Sequence, residues 1–231
     1  MTGEGGGAEG LIRPAPGSSP GLSTPAAWDA LYREGRYRTW PNESLVAWVA
    51  ETWGDVSRAA RKAISILEVG CGAGGNLWFL ADEGFSACGI DTSSEALAEA
   101  RRVRNSIRSY VPWYELHQYD VLSSQFPSAW FDAVVDVTCL QHFSENDHFR
   151  ALLEIRRILN SKGRFWSYRL GSGTVGYQQI FPGNPPAWLP MEKEMREQLR
   201  LSGFSAVKMY AVTREYPGRG VAQYFVVEVW A

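Results

Sequence analysis

The most informative segment of the chain reads Ile66-Leu67-Glu68-Val69-Gly70-Cys71-Gly72-Ala73-Gly74-Gly75. An apolar, β-branched run over residues 63–69 predicts a buried strand, and the glycines after it predict a tight turn into a helix. Glycine permits positive φ angles and lets a ligand approach the backbone without a Cβ in the way. Four glycines directly after a buried strand therefore indicate a ligand-binding turn.

Strand and helix patterns alternate around this turn. Further strands are predicted at 86–90, 114–119, 131–137, 163–170, 204–213 and 221–230. Helices are predicted at 27–32, 42–60, 76–83, 94–108, 145–159 and 191–202, with a loop over 171–190. Strand–helix alternation favours right-handed parallel crossovers, whereas the short Pro-Gly-Arg-Gly connection near the end requires a hairpin. The fold class is therefore α/β: one seven-stranded, mostly parallel sheet with helices on both faces and an antiparallel C-terminal hairpin strand.

Composition limits the classes of protein that the chain can belong to. Residues 1–25 are rich in glycine and proline and predict a disordered tail, which leaves 26–231 as one domain. A net charge of -2 gives no electrostatic reason to expect a nucleic-acid or membrane partner. The three cysteines lack the spacing of metal ligands, so we expect no metal and a reducing, cytoplasmic environment. A monomer or a homodimer fits these data equally well.

The glycine turn is compatible with two kinds of nucleotide. Gly70, Gly72 and Gly75 satisfy the dinucleotide pattern G-x-G-x-x-G, and Asp91 lies where a ribose-binding acid is expected. Glu68, however, would repel a pyrophosphate, whereas it would attract the ammonium and sulfonium of S-adenosylmethionine. The chain also lacks a Tyr-x-x-x-Lys pattern and has no room for a second dinucleotide half. These features favour S-adenosylmethionine.

Several segments together resemble the class I (Rossmann-like) S-adenosylmethionine-dependent methyltransferases, in their small-molecule branch. Residues 66–74 look like motif I, residues 89–93 with 96–101 like motif II, Asp120-Val121 like motif III and residues 131–136 like motif IV. Residues 153–159 and 161–163 are similar to the usual approach to strand five. The resemblance implies a cofactor site that comprises Glu68, Gly70, Cys71, Gly72, Gly74, Asp91, Thr92, Asp120, Val121 and Asp136. Within it, Asp91 would hold the ribose hydroxyls and Asp120-Val121 would read the adenine.

The N-terminal aromatic residues are similar to a segment that folds over the cofactor in the thiopurine, halide and tellurite-resistance branch. By that resemblance, Tyr37 and Trp40 are candidates for cation–π contact with the sulfonium, although they could equally fasten the first helix to the sheet. For Trp28 and Tyr32 the structural role is favoured.

Catalytic and acceptor-binding residues are expected at the carboxyl ends of the later strands. His142 is the candidate general base with Asp136 beside it, although a histidine at this position can instead serve packing or capping. Tyr168, Arg169, Tyr177 and Trp188 are candidate acceptor contacts; Arg169 could bind an anion or pair with Asp136 or Glu68. His117 and His148 are expected at the surface.

Asn184-Pro185-Pro186-Ala187 resembles a motif of amino-group methyltransferases. Here it follows strand five instead of strand four and lacks the motif's aromatic residue, so we interpret it as a turn.

Three functions remain open at this stage. The first is methyl transfer from S-adenosylmethionine to an O or N atom of a small molecule such as a sugar or a specialised metabolite. The alternative is a nucleic-acid or protein methyltransferase, which the near-neutral charge disfavours. A catalytically silent cofactor-binding subunit is disfavoured because every cofactor position is intact.

Overall fold

A computed structural model describes residues 24–106 and 114–231. Most of the predicted tail and the end of the predicted helix 94–108 lie outside these residues. The helices are α1 (Pro25–Arg33), α2 (Glu43–Trp53), α3 (Arg58–Arg61), α4 (Gly75–Asp82), α5 (Ser94–Ser106), α6 (Glu145–Ile158), α7 (Tyr177–Ile180) and α8 (Glu192–Leu201). The strands are β1 (Ser65–Val69), β2 (Ser86–Ile90), β3 (Tyr114–His117), β4 (Phe131–Val137), β5 (Leu159–Leu170), β6 (Ser205–Tyr216) and β7 (Gly220–Trp230).

The seven strands form one sheet in the order β3-β2-β1-β4-β5-β7-β6. Strands β1 to β5 pair in parallel, and β7 runs antiparallel between β5 and β6. The predicted fold class is confirmed, including the antiparallel hairpin strand. Because β1 lies between β2 and β4, the chain reverses its direction of travel across the sheet there, and a crevice opens at the carboxyl ends of β1 and β4.

Apolar side chains cover both faces of the sheet. Helices α2 and α4 pack on one face around Leu45, Trp48 and Leu77. Helices α6 and α8 pack on the other face around Leu152 and Leu199. The amphipathic spacing of α6 explains this arrangement, since its buried residues recur every three to four positions. Within the described residues, no helix is long and apolar enough to cross a membrane.

The segment predicted as one helix over 42–60 is divided in two. Helix α2 ends at Trp53 with Gly54 as its C-cap, and Ser57 then caps α3 by accepting a hydrogen bond from the Ala60 amide at 3.3 Å. A glycine followed closely by a serine N-cap favours an end and a new start over a continuous helix. Other boundaries differ as well: β5 begins at Leu159, β6 continues to Tyr216, and the predicted loop 171–190 contains the short helix α7.

Helix α1 is fastened to the start of α5 and so covers the carboxyl edge of the sheet. The Asp29 carboxylate accepts hydrogen bonds from the Ser93 hydroxyl at 2.6 Å and from the Glu95 amide at 3.3 Å. A carboxylate at a helix N-terminus also interacts favourably with the helix dipole. This contact fixes the N-terminal segment above the crevice.

Removing the Asp29 carboxylate should loosen this cover. We expect Asp29→Ala to lose about 0.5–2 kcal/mol of docking free energy, the range for a lost capping side chain. Trypsin should then cleave after Arg33 and Arg36 several times faster, as followed by mass spectrometry. Asp55→Ala, an exposed site in the turn after α2, is the matched control. Equal cleavage rates in both variants would contradict the role of Asp29.

Candidate active site

One cleft of about 740 Å³ opens at the carboxyl edge of the sheet, under α1 and the segment that joins α1 to α2. Its wall includes the glycine turn, the ends of β2, β4 and β5, and part of the C-terminal hairpin. This volume falls within the range of small-molecule sites in proteins, and the position is the one expected for ligands of open α/β sheets.

The glycine turn brings bare backbone to the floor of the cleft. Gly70, Gly72 and Gly74 have φ angles of 64°, 54° and 78°, so a side chain would strain each of them. A Cβ at Gly70 would collide with the Cys139 thiol, and one at Gly72 would collide with the Tyr32 hydroxyl. The structure therefore requires glycine at the positions that the sequence marked for ligand approach.

Glu68 ends β1 in the cleft wall with one carboxylate oxygen unsatisfied. Its side chain is 1 % exposed, and Oε1 accepts a hydrogen bond from the Asn76 amide at 2.6 Å. Oε2 is buried and has no partner within the described chain. Burial raises the pKa of Glu68 to about 8, although the Asn76 bond opposes the shift. A buried acid with a free oxygen in a cleft wall suits a cationic ligand group.

Asp91 follows β2 and lies across the glycine turn from Glu68. Its Oδ2 accepts from the Gly72 amide and its Oδ1 from the Ser93 amide, both at 2.9 Å. Burial raises the pKa of Asp91, while these backbone bonds act in the opposite direction. Thr92, Asp120 and Val121 also line the cleft. The side chain of Asp120 is oriented by the Leu122 amide, which donates to it at 2.9 Å.

The aromatic cover differs in detail from the sequence expectation. Tyr32, Tyr37 and Trp40 all line the cleft, but Tyr32 is the ring directly above Gly72. Burial raises the pKa of Tyr32 well above its usual value. Tyr37 stacks on Tyr32 with 5.4 Å between ring centroids, and Trp40 is 68 % exposed. The sequence favoured a structural role for Tyr32, whereas the structure places its ring inside the cleft.

His142 lies in the cleft wall, but a chain of hydrogen bonds fixes its protonation state. The Leu170 amide donates to Gln141 Oε1 at 3.0 Å, which makes Gln141 Nε2 a donor to His142 Nε2 at 3.2 Å. His142 Nδ1 then carries the proton and donates to the Pro186 carbonyl at 3.0 Å. Burial lowers the pKa of His142 to about 4. The ring is neutral with its lone pair engaged, which matches the packing alternative better than the general base.

Asp136 is not in the cleft wall, contrary to its predicted catalytic and cofactor-binding roles. It is fully buried, and its Oδ1 accepts from the amides of Cys139 and Leu140 at 2.9 and 3.1 Å. Its Oδ2 accepts from the Ser167 hydroxyl at 2.7 Å. Both oxygens are occupied in holding the turn after β4, where Thr138 has an unusual φ of 62°. The side chain is 0 % exposed and lies outside the cleft wall, so it holds the turn that borders the cleft.

The four predicted acceptor contacts separate into two groups. Tyr168 lines the cleft, whereas Arg169, Tyr177 and Trp188 lie outside its wall. Arg169 is fully buried, donates to the Trp188 carbonyl at 3.1 Å and places its guanidinium 5.0 Å from the centre of the Trp188 ring. Strand alternation explains the separation, because Tyr168 and Arg169 are neighbours in β5 and point to opposite faces.

One other sequence expectation is corrected by this region. His148, expected at the surface, is 1 % exposed and packs against Trp188 with 5.0 Å between ring centroids. The segment interpreted as a turn, Asn184-Pro185-Pro186, directly follows a turn at Pro182-Gly183, and the carbonyls of Pro185 and Pro186 accept from Tyr177 and His142. Asn184 itself lines the cleft.

Sequence analysis did not predict four further residues that line the cleft. The hairpin supplies Arg214, Tyr216 and Tyr224, and the segment after α1 supplies Arg38. No motif marks these positions. The hairpin comes to lie next to β5 only in the folded sheet, so a local sequence pattern does not reveal that its side chains reach the cleft.

One group of potential metal ligands lies away from the cleft. Cys88, Glu115 and His117 have ligand atoms within 4.8 Å of one another on β2 and β3. Cys88 pairs with Glu115 across the two strands, and His117 follows two residues later on the same face. Strand register creates this group, which the cysteine spacing did not predict.

Residues 66–163 match a family model described as "Methyltransferase domain". The match covers the glycine turn, Asp91 and Asp120, which the structure brings together in one cleft. Residues 66–163 therefore form a methyltransferase domain of the class I, S-adenosylmethionine-dependent kind. No curated protein sequence matches the chain.

Solved methyltransferase structures share the fold. A S-adenosylmethionine-dependent methyltransferase from Methanosarcina mazei is 21% identical, with a TM-score of 0.60 over 72% of this chain and 91% of that chain. Magnesium protoporphyrin IX methyltransferase from Synechocystis is 17% identical, with a TM-score of 0.60 over 89% and 81%. A phosphoethanolamine N-methyltransferase from Haemonchus contortus is 16% identical, with a TM-score of 0.66 over 88% of this chain and 56% of that chain. At these identities the likeness is one of fold.

The residues of this methyltransferase fit its cofactor. The free Glu68 oxygen suits the ammonium of the methionine portion, and Asp91 lies where a carboxylate can accept ribose hydroxyls. The glycines leave room that any side chain would fill.

Cofactor binding should release a proton from Glu68. With a pKa of about 8, Glu68 is mostly protonated at pH 7 in the free enzyme, and the cofactor ammonium should favour the ionised form. Binding of S-adenosylhomocysteine, which carries the same ammonium, should release close to one proton. Calorimetry at pH 7 in buffers of different ionisation enthalpy measures this number. Glu68→Gln should bind more weakly and release none, and a wild-type binding enthalpy that is independent of buffer would contradict the assignment.

His142 should remain neutral throughout the working pH range. Because burial places its pKa at about 4, its ring signals in an NMR titration should not move between pH 5.5 and 8. In urea-unfolded protein the same ring should titrate near ~6.5, the value of free histidine. A midpoint near 6.5 in the folded enzyme would show that the ring is solvated and available as a base.

Proposed function

We propose that the enzyme, through a domain spanning residues 26–231, transfers a methyl group from S-adenosylmethionine to an O or N atom of a small molecule. The observation that carries the proposal is one covered cleft, in which most of the predicted cofactor residues and a second set of side chains share a volume of about 740 Å³. Helix α1 covers this cleft and is fastened to α5 through Asp29. A polymer would need an open groove, whereas a small acceptor fits beneath the cover.

Positioning is the main task of such an enzyme. The sulfonium supplies a methyl group with a good, neutral leaving group, so the protein mainly orients the acceptor and excludes water. Glu68 and Asp91 would anchor the two ends of the cofactor, while Tyr32 and α1 close the cleft above the glycine turn. Tyr168, at the carboxyl end of β5, would contact the acceptor.

The proposed cytoplasmic location of the enzyme is supported by its cysteine thiols. Cys71, Cys88 and Cys139 are free, which suits the reducing cytoplasm.

The similar structures include enzymes named for magnesium protoporphyrin IX and phosphoethanolamine, both of which are small molecules. We expect no nucleic-acid partner, and a monomer or a homodimer.

The destination of the methyl group tests the proposal. The enzyme should be incubated with methyl-tritiated S-adenosylmethionine and, separately, with a metabolite extract, bulk RNA or unfolded protein. Label should appear in the acid-soluble products of the metabolite extract. Label that precipitates with RNA or protein would establish the macromolecular alternative.

Asp91 provides a second test at the cofactor. Two charge-assisted hydrogen bonds to ribose are worth roughly 1.5–3 kcal/mol each, so Asp91→Ala should weaken S-adenosylhomocysteine binding at least about tenfold. Calorimetry measures the affinity, with Glu197→Ala on the exposed face of α8 as control. An unchanged affinity in Asp91→Ala would assign the ribose to another group.

A further inference from the structure

Three potential metal ligands lie together at the β3 edge of the sheet. The register of the two parallel strands matches Cys88 of β2 with Glu115 of β3, and His117 follows two residues after Glu115. Because side chains alternate along a strand, all three point to the same face of the sheet. Their ligand atoms, a sulfur, a carboxylate oxygen and a ring nitrogen, lie within 4.8 Å of one another. None of the three lines the cleft, so the group is separate from the cofactor site.

The distances within the group suit a tetrahedral metal ion. His117 Nε2 lies 3.5 Å from Glu115 Oε2. Two such ligands at about 2.1 Å from one zinc ion, separated by a tetrahedral angle, are about 3.4 Å apart. A sulfur at about 2.3 Å from the same ion is about 3.6 Å from each of them. Since no separation in the group exceeds 4.8 Å, the sulfur and its partners need to approach by at most about 1.2 Å.

Packing holds two of the three ligands and leaves the third accessible. Cys88 is 6 % exposed and belongs to the apolar core on the α6 side of the sheet. The His117 ring stacks on Tyr119 with 5.1 Å between ring centroids and meets Phe126 edge-on at 5.7 Å. The Glu115 side chain is 65 % exposed, so it can rotate toward an ion that enters from solvent. Ligands that packing already orients lose less conformational entropy when they bind.

The donor set favours zinc over the hard divalent cations. Thiolate and imidazole are ligands that Zn²⁺ prefers, whereas Mg²⁺ and Ca²⁺ prefer oxygen atoms alone. Only the thiolate binds a metal, so the proton of the Cys88 thiol passes to solvent as the ion binds. The thiolate and the Glu115 carboxylate then carry two negative charges, which balance the two positive charges of the ion. A water molecule can complete the tetrahedron on the exposed side.

We propose that Cys88, Glu115 and His117 bind one zinc ion, which links β3 to β2. Strand β3 is four residues long and, among the described strands, pairs with β2 alone. A short edge strand has few backbone hydrogen bonds to hold it, and a metal shared with its neighbour adds a second connection.

The position of the group gives the ion a structural role beside the cleft. The His117 carbonyl accepts a hydrogen bond from the Asp91 amide at 3.3 Å, and the Gln118 side chain donates to the Thr92 carbonyl at 3.1 Å. Asp91 and Thr92 both line the cleft. An ion bound at His117 therefore stabilises the end of β3 against the segment that carries these two residues.

Cobalt can report the thiolate ligand, because a cobalt–thiolate bond gives a charge-transfer absorption that oxygen and nitrogen ligands do not give. One equivalent of Co²⁺, added to enzyme that a chelator has freed of metal, should produce this absorption, and Zn²⁺ should abolish it by competition. Mg²⁺ in excess should leave it unchanged. Cys88→Ser should lack the absorption, whereas Cys139→Ser, which alters a thiol in the cleft wall, should keep it.

Two further variants test the other ligands without changing the buried cysteine. Glu115→Gln and His117→Gln should each weaken zinc binding at least about tenfold, since even indirect partners of a metal contribute 10–100-fold. At a zinc concentration about 100 times the wild-type dissociation constant, the wild-type melting temperature should rise by roughly 5–10 °C. At the same concentration the rise should be about half as large or less in both variants. Glu215→Gln makes the same charge change as Glu115→Gln on the exposed side of β6 and should match the wild type.

Four results would each overturn the proposal. They are the absence of the cobalt–thiolate absorption in the wild type, its persistence in Cys88→Ser, equal zinc affinities in the wild type and in both further variants, and zinc binding that leaves the melting temperature unchanged.

Discussion

One buried amide connects the cofactor acid to the cover of the cleft. The Asn76 side chain donates to Glu68 at 2.6 Å, and its oxygen accepts from the Asn42 amide at 2.8 Å. Asn42 in turn caps α2 by accepting from the Ser44 amide at 2.9 Å. A buried polar group must be satisfied, so each of these residues constrains the others. The position of α2, and with it the end of the segment that covers the cleft, depends on a carboxylate whose second oxygen has no partner among the described residues.

The same burial determines the protonation of the acids in the cleft wall. Burying Glu68 beside Asp91 is unfavourable for both carboxylates, as the raised pKa of each shows. A cationic ligand would relieve that cost, and we expect Glu68 to lose its proton when such a ligand binds.

Sequence patterns predicted the backbone of the site better than its side chains. The turn at 70–74 and the acids at 68, 91 and 120 follow from local rules, since each lies at the end of a strand that hydrophobic patterning identifies. Asp136 was predicted on the same grounds, yet the fold uses both of its oxygens to hold the next turn. His148 lies on the buried face of α6, and its hydrogen-bond partner there is Gln198 of α8, which the sequence of α6 alone does not reveal. Such outcomes depend on contacts between distant segments, to which a local pattern has no access.

Sequence patterns also failed to predict how Tyr168 and Tyr224 come together in the cleft wall. Tyr224 and Tyr168 come together because β7 pairs with β5 in a register that matches Tyr224 with Leu170 and Val226 with Tyr168. The alternation of side chains then directs both rings to the same face of the sheet. Arg38 reaches this face from the opposite end of the chain, within the segment that also carries Tyr37 and Trp40. The wall of the cleft therefore combines residues from both ends of the described chain, which no local sequence pattern relates to one another.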